Sequence, residues 1–353
     1  MKIKIAKSIL ENSLTHTINF TEKKDNSQIT SHILIQAKEK ITLKATDLEF
    51  GLEYVIDNNF EIITEGELTI NGKKLYEIIK ALNDDFIEIE LKDDIAIISQ
   101  NHSIYKLPTF DVKEYPEFPN QSELQKVEIS TLDFIEGLKK VFLVIDTNNL
   151  KYELNGALLN IESNSLNIVA TDTKRLALYS IKENSQKEIQ IIIPKKSIAE
   201  LRKLFSDNFE VFVNETYLVI KSQYMTFFTK LINGKFPDYK RIIPDEYKYI
   251  IALNKNSFLK AIKQINIISN DIKITIDKNK MYLESISDET FEAKTDIEIE
   301  SNLENFVFAV NSRFLLDFLN VSDDNIEICL NEENIPFTLR EKNFETIIMP
   351  LSI

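Results

Sequence analysis

Two kinds of pattern alternate along the chain. Over 73–82 the apolar residues Leu75, Ile78, Ile79 and Leu82 recur at three- and four-residue spacing, with Lys73, Lys74, Glu77 and Lys80 between them. That period predicts an amphipathic helix with one buried stripe. Directly afterwards Ile87, Ile89 and Leu91 alternate with Glu88 and Glu90, and earlier Ile41, Leu43 and Ala45 alternate with Thr42 and Lys44. Period-two alternation predicts strands with one face in a core. Strands outnumber helices on this reading. Six glycines and eight prolines are few for so much sheet, so Asn, Asp and Lys must make most turns.

The helix–turn–strand unit then recurs. Residues 195–205, Ser206-Asp207-Asn208 and 209–213 form a second copy, and 312–319, 321–325 and 326–330 a third. Matching Lys74, Lys196 and Arg313 gives offsets of 196 − 74 = 122 and 313 − 196 = 117. A second landmark, Leu43-Lys44-Ala45-Thr46-Asp47, resembles Ile168-Val169-Ala170-Thr171-Asp172 at 172 − 47 = 125, with a weaker copy ending in Asp288 at 288 − 172 = 116. A period this long is that of a whole domain and not of a solenoid repeat. The expectation is an α+β fold of three tandem similar domains, each an antiparallel sheet with two helices. The boundaries are placed at 1–122, 123–246 and 247–353, with linkers near 120–123 and 245–248.

Composition narrows the chemistry. The chain has 353 residues, 43% hydrophobic and 28% charged, the balance of a soluble globular protein. No apolar run approaches the ~20 residues that span a bilayer, and lysines interrupt the amino terminus before a signal sequence develops. A cytoplasmic protein without membrane association is expected. The single cysteine, Cys329, excludes an intrachain disulfide and lacks a basic neighbour to activate it. His16, His32 and His102 are dispersed without ligand or triad spacing. Gly66 to Gly72-Lys73-Lys74 is one residue too long for a phosphate loop, and Leu68 and Ile70 make the interval a strand. Asp84-Asp85 and Asp323-Asp324 could hold metal ions, yet they recur at one equivalent turn, which favours a structural role. No catalytic residue, cofactor or metal site is expected. A formal charge of −14 argues against a protein that grips DNA by neutralising phosphates, but not against one that encloses it.

Several segments resemble a known family. Leu154-Asn155-Gly156 followed by 169–177, the run 234–244, Ala45-Thr46-Asp47-Leu48-Glu49, and the ending Ile347-Ile348-Met349-Pro350-Leu351 are similar to the bacterial DNA polymerase III beta subunits, the DNA sliding clamps. The resemblance spans the whole chain. It implies a head-to-tail homodimer closing as a ring, with helices lining the hole. Tyr105 and Leu107 on the first domain and Ile267 and Ile268 on the third are the dimer-interface residues it implies. It also implies a partner-peptide cleft formed by Leu154, Thr171, Arg175, Leu176, Pro237, Arg241, Ile242, Asn311, Phe314, Ile348, Met349, Pro350 and Leu351. An apolar slot with a few polar groups suits short linear motifs, and Met adapts to several of them. Thr173 and Lys174 stand where the family often has Gly-His, Lys151 where it often has Arg, and the loop after Ile268 is shorter, so partner preference departs from the common pattern.

Basic residues concentrate on the helices that such a ring turns inward. Lys73, Lys74, Lys80, Lys195, Lys196 and Arg202 are the expected DNA-facing set, with Lys23, Lys24 and Tyr152 added by resemblance; Lys7, Lys139, Lys140, Lys260, Lys263 and Arg313 share the helical placement. The function implied is a non-catalytic processivity factor that encircles duplex DNA regardless of sequence. It tethers the replicative polymerase and other proteins carrying a clamp-binding motif, and is opened by a clamp loader. The alternatives are a repeated-domain interaction scaffold without DNA and a metal-dependent nuclease using the acidic pairs.

Overall fold

The computed structural model describes residues 1–25, 28–182, 188–287, 292–323 and 325–352. Asp288 and Asp324, both used in the repeat and acid-pair comparisons, lie outside these residues, as does Ile353. Among the described residues six helices carry the 3.6-residue pattern: α1 (Lys7–Thr17), α2 (Gly72–Ala81), α3 (Thr131–Val141), α4 (Lys195–Leu204), α5 (Lys255–Ile265) and α6 (Ser312–Val321). They pack in pairs, α1 with α2, α3 with α4 and α5 with α6. In α2, Leu75 and Ile79 are fully buried while Lys73, Lys74 and Lys80 stay exposed, as the spacing requires.

Packing divides the chain into two compact units, Met1–Glu128 with Asp207–Leu231, and Ile129–Ser206 with Ile232–Ile353. Each holds one eight-stranded antiparallel sheet and one smaller sheet. In the first unit, the eight strands run in the order Gln125–Val127, Glu210–Val213, Tyr217–Lys221, Met225–Lys230, Phe50–Ile56, Ile41–Thr46, His32–Ala37, Gly66–Asn71. In the second they run Ile189–Pro194, Gly156–Glu162, Ser165–Thr171, Arg175–Lys182, Phe344–Ile348, Phe337–Glu341, Asn325–Leu330, Tyr249–Asn254. Both sheets are therefore made by joining two halves. Met225–Lys230 pairs with Phe50–Ile56, and Phe344–Ile348 pairs with Arg175–Lys182. Close approach at the first joint demands glycine: a Cβ on Gly51 would lie 2.4 Å from Cε1 of Phe228.

The repeat is visible in the strand that leads into each second helix. Gly66–Asn71, Ile189–Pro194 and Phe306–Asn311 each run directly into α2, α4 and α6. This register equates Lys73, not Lys74, with Lys196 and Arg313, each the second residue of its helix. The offsets become 196 − 73 = 123 and 313 − 196 = 117. Asn71 and Asn311 cap their helices through side-chain oxygens, whereas Pro194 supplies no side-chain cap. The Thr-Asp landmark is one turn built twice. Thr46 Oγ1 donates to Phe50 O at 2.9 Å and Thr171 Oγ1 to Arg175 O at 2.7 Å. Asp47 and Asp172 each accept from two following backbone N–H groups. Leu48 and Thr173 take the same left-handed φ, 77° and 76°.

Two edges of the same kinds remain open among the described residues. Lys294–Glu298 corresponds to Phe50–Ile56 and Arg175–Lys182, the fourth strands of their modules. It terminates the four-stranded sheet Lys294–Glu298, Lys280–Ser285, Asp271–Asp277, Phe306–Asn311. Ser103–Pro108 corresponds to Met225–Lys230 and Phe344–Ile348, and terminates the five-stranded sheet of the first unit.

His32 offers a test of the first unit's core. It is 4% exposed, its ring centroid lies 4.6 Å from that of Phe110, and burial pushes its pKa down from 6.5 to about 4. Between those values the unfolded chain takes a proton that the folded chain refuses, so stability falls as pH drops from 6.5 towards 4. The loss is of order 3 kcal/mol. Chemical denaturation at neutral and acid pH should show a smaller acid loss in His32→Gln than in the parent; equal losses would contradict this origin.

Candidate partner site and nucleic-acid face

Alternation along Arg175–Lys182 sorts the expected cleft residues onto two faces of the sheet. Leu176 and Leu178 point one way, into a cluster with Leu154, Leu158, Val169, Ile192, Phe236, Tyr239 and Ile347. The segment after the second module closes over this outer face. Tyr239 is fixed there by Asn160, whose Nδ2 donates to the tyrosine oxygen at 3.0 Å. That leaves Pro237 half-buried and Ile242 43% exposed at the rim. Arg241 extends into solvent beside Asp238, Nε to Oδ2 2.8 Å. Met349, 47% exposed, ends the other wall. Its N–H donates to Lys174 O at 3.0 Å, and the N–H of Leu351 donates to Ala309 O at 2.8 Å. The tail is thus strapped to a second-module turn and a third-module strand, with an adaptable side chain left facing out.

Arg175 points the other way, towards the helices. Its Nε donates to Asp172 Oδ2 at 2.9 Å and its Nη2 to Asp317 Oδ2 at 2.7 Å and Leu143 O at 3.3 Å. The guanidinium carbon stands 4.5 Å from the Phe314 ring centroid. Ile348, opposite Arg175 in the ladder, shares that face. Thr171 spends its hydroxyl on the turn that aims Arg175, and Asn311 spends its side chain capping α6 and donating to Asp271 at 2.9 Å. Ile242, Met349 and half-buried Pro237 are therefore the accessible apolar groups on the outer face, over a floor that includes the buried Leu154 and Leu176, while Arg175, Ile348 and Phe314 belong to the helix side. Thr171 and Asn311 position neighbours.

The basic set divides as well. Lys23, Lys24, Lys73, Lys74, Lys80 and Lys196 are exposed, as is Tyr152 at 57%. Lys195 and Arg202 are not free on a helix surface. Both turn back to Phe142 at the end of α3, 5.2 and 4.0 Å from its ring centroid, and Lys195 Nζ donates to Ile145 O at 2.5 Å. Burial lowers the pKa of both groups. Lys140 departs furthest from the helix-surface expectation. At 6% exposure its Nζ meets Glu341 Oε1 at 2.5 Å and also donates to Val321 O at 2.5 Å. Helical spacing could not reveal this, because the partner lies 201 residues away.

Of the residues expected at an interface, Tyr105 and Leu107 are half-buried on the edge strand Ser103–Pro108, next to Ile104 at 64% exposure. Ile267 and Ile268 follow α5 and are 81% and 37% exposed. Large apolar side chains at an open edge mark a surface made for a partner. The acidic turns are structural where described: Asp85 Oδ1 accepts from Phe86 N at 2.7 Å and Asp323 pairs with Lys342 at 3.1 Å. No group of three or more His, Cys, Asp or Glu residues could hold a metal ion among the described residues. Cys329 is buried in Asn325–Leu330, and burial pushes its thiol up to about 11. No helix among the described residues is long and apolar enough to cross a membrane.

Comparison with known proteins accounts for the whole chain. Models of the N-terminal, central and C-terminal domains of the DNA polymerase III beta subunit match residues 1–119, 128–238 and 240–352. The beta sliding clamp of Helicobacter pylori is 37% identical over 376 residues, covering all of both chains, and that of Pseudomonas aeruginosa is 25% identical over 370 residues, again covering both. The solved Helicobacter pylori beta clamp bound to a DNA ligase peptide superposes with a TM-score of 0.94 at 38% identity over the full length of each chain. With three tandem clamp domains in order and a full-length relative well above the level of fold likeness alone, the chain belongs to the DNA polymerase III beta subunit family, the bacterial beta sliding clamps.

Proposed function

We propose that two copies of this chain join head to tail into a ring around duplex DNA and tether the replicative polymerase and other motif-bearing proteins to it. One observation carries the reading. Two of three equivalent fourth strands are paired within the chain, by the last strand of the following module, and the third, Lys294–Glu298, is open among the described residues, as is the matching edge Ser103–Pro108. A second copy satisfies both edges with the joint already used twice. Isologous pairing of one edge with itself would leave the other open. Two identical head-to-tail joints close a two-membered ring and leave neither of these two edges unpaired.

Within such a ring the exposed lysines of the helices meet phosphates, while the −14 formal charge keeps DNA from the remaining surface. Contacts of this type are salt-dependent and blind to sequence, which permits sliding. Enclosure then replaces affinity, and a tethered polymerase gains effective concentration at the primer end. The chain carries out no reaction itself. Loading falls to a separate ATP-driven clamp loader that competes for the partner surface, in the cytoplasm where replication proceeds.

The outer apolar surface at Ile242 and Met349, over the buried Leu176, is the tethering site. Removing 349–353 should weaken binding of a ligase-type peptide about a hundredfold or more, since burial of each large apolar side chain stabilises by about 1.5–3 kcal/mol. Met349→Asp, which keeps the backbone strap, should act in the same direction. Fluorescence polarisation with a labelled peptide reads both, and unchanged affinity in both variants would reject this site.

A further inference from the structure

On the side of the second unit's large sheet to which Arg175 points lies a cavity of about 420 Å³. Residues 143–148, the turn at Asp172, Lys174 and Arg175, and the first turns of α4 and α6 at Lys195, Arg313 and Phe314 line it. Four cations, Lys174, Arg175, Lys195 and Arg313, face two lining carboxylates, Asp146 and Asp172, with Asp317 behind Arg175. The balance is 4 − 3 = +1, in a chain whose total is −14.

The carboxylates are already engaged. Asp172 and Asp317 both bind Arg175, and the oxygens of Asp146 accept from Asn148 N at 3.0 Å and Asn149 Nδ2 at 3.3 Å. Lys195 reaches only a main-chain carbonyl and the Phe142 ring, with no carboxylate at ion-pair distance among the described residues. Among the described residues Arg313 has only Asp317, at 3.8 Å and shared with Arg175. Arg175, 5% exposed, keeps Nη1 without a protein partner among the described residues. Burial disfavours the charge on Lys195, and nearby Arg313 and Arg175 add to this, opposed by Asp146 and Asp317. An anion here would relieve that penalty, and the positive ends of two helices favour one.

We propose that this cavity binds a phosphate group, held by Lys195 and Arg313 from two helix starts and by Lys174 from the turn. The proposal deepens the DNA-facing reading and rests on it only for the source of the phosphate. That source is either the DNA backbone or a free phosphate compound, and the chemistry is the same.

Titration calorimetry of the full chain with pyrophosphate tests it. Saturable binding is expected, falling about tenfold in Arg313→Gln and in Lys195→Gln, the loss of one charge-assisted contact each. Arg313 is 76% exposed, so its variant keeps the fold. Absence of saturable heat, or equal affinity of Arg313→Gln and parent, would overturn the site. A short linear duplex added first identifies the source: displacement of pyrophosphate points to backbone phosphate, and undisturbed binding to a free compound. Retention of the parent on closed circular DNA is measured separately, so failure of enclosure and failure of the phosphate site are distinguishable.

Discussion

Replacing Ile267 and Ile268 together with aspartate should convert the dimer to monomers in sedimentation. Both side chains are exposed in the single chain, at 81% and 37%, and neither contributes to its core. Their burial against a second copy would stabilise each joint by about 3 kcal/mol or more, about a hundredfold per joint. A two-membered ring holds two such joints, so the dimer's dissociation constant should rise about ten-thousandfold. Charged side chains in a desolvated interface add to the loss. A proline in place of Ile104 on the open edge should act similarly if its N–H pairs with the partner strand. An undisturbed dimer in both variants would place the interface elsewhere.

Lys140→Met should cost about 3–5 kcal/mol of stability in the second unit, because it leaves Glu341 buried without its cation. Glu341 is 4% exposed and, among the described residues, would retain the N–H of Asp323 and its ladder position opposite Phe344. The pair joins α3 of the second module to Phe337–Glu341 of the third, so its loss should loosen the same joint that carries the outer apolar surface. Lys140→Met combined with Glu341→Leu should recover most of the stability, since a packed apolar pair often replaces a buried ion pair at little cost. Denaturant unfolding measures both. A single variant within about 1 kcal/mol of the parent, in the range of an exposed pair, would show that the ion pair is not desolvated in solution.

The modular plan was legible in the sequence because it rests on local chemistry. Leu75 and Ile79 mark a helix wherever they occur, and Thr46-Asp47 and Thr171-Asp172 build the same turn from their own backbone and hydroxyl groups. The register of the repeat was less legible. Lys74 and Lys73 are adjacent and alike, and only the strand ends at Asn71, Pro194 and Asn311 show which of them matches Lys196. The site was half legible. Family likeness gathered Arg175 and Leu176 together, but one residue along a strand reverses the face, so their side chains are buried on opposite sides of the sheet. Lys140, Lys195 and Arg202 sit on helices as expected, yet their neighbours Glu341 and Phe142 come from distant segments. Charge and periodicity carry no information about such pairings.

The difference between holding DNA by contact and holding it by enclosure can be measured on one substrate. The protein is loaded by a clamp loader onto nicked circular DNA, washed in high salt, and its retention followed before and after the circle is linearised. Salt removes phosphate contacts but not a closed ring, so the protein should stay on the intact circle and run off the ends once it is cut. Equal rates of loss from circular and linear DNA would contradict enclosure.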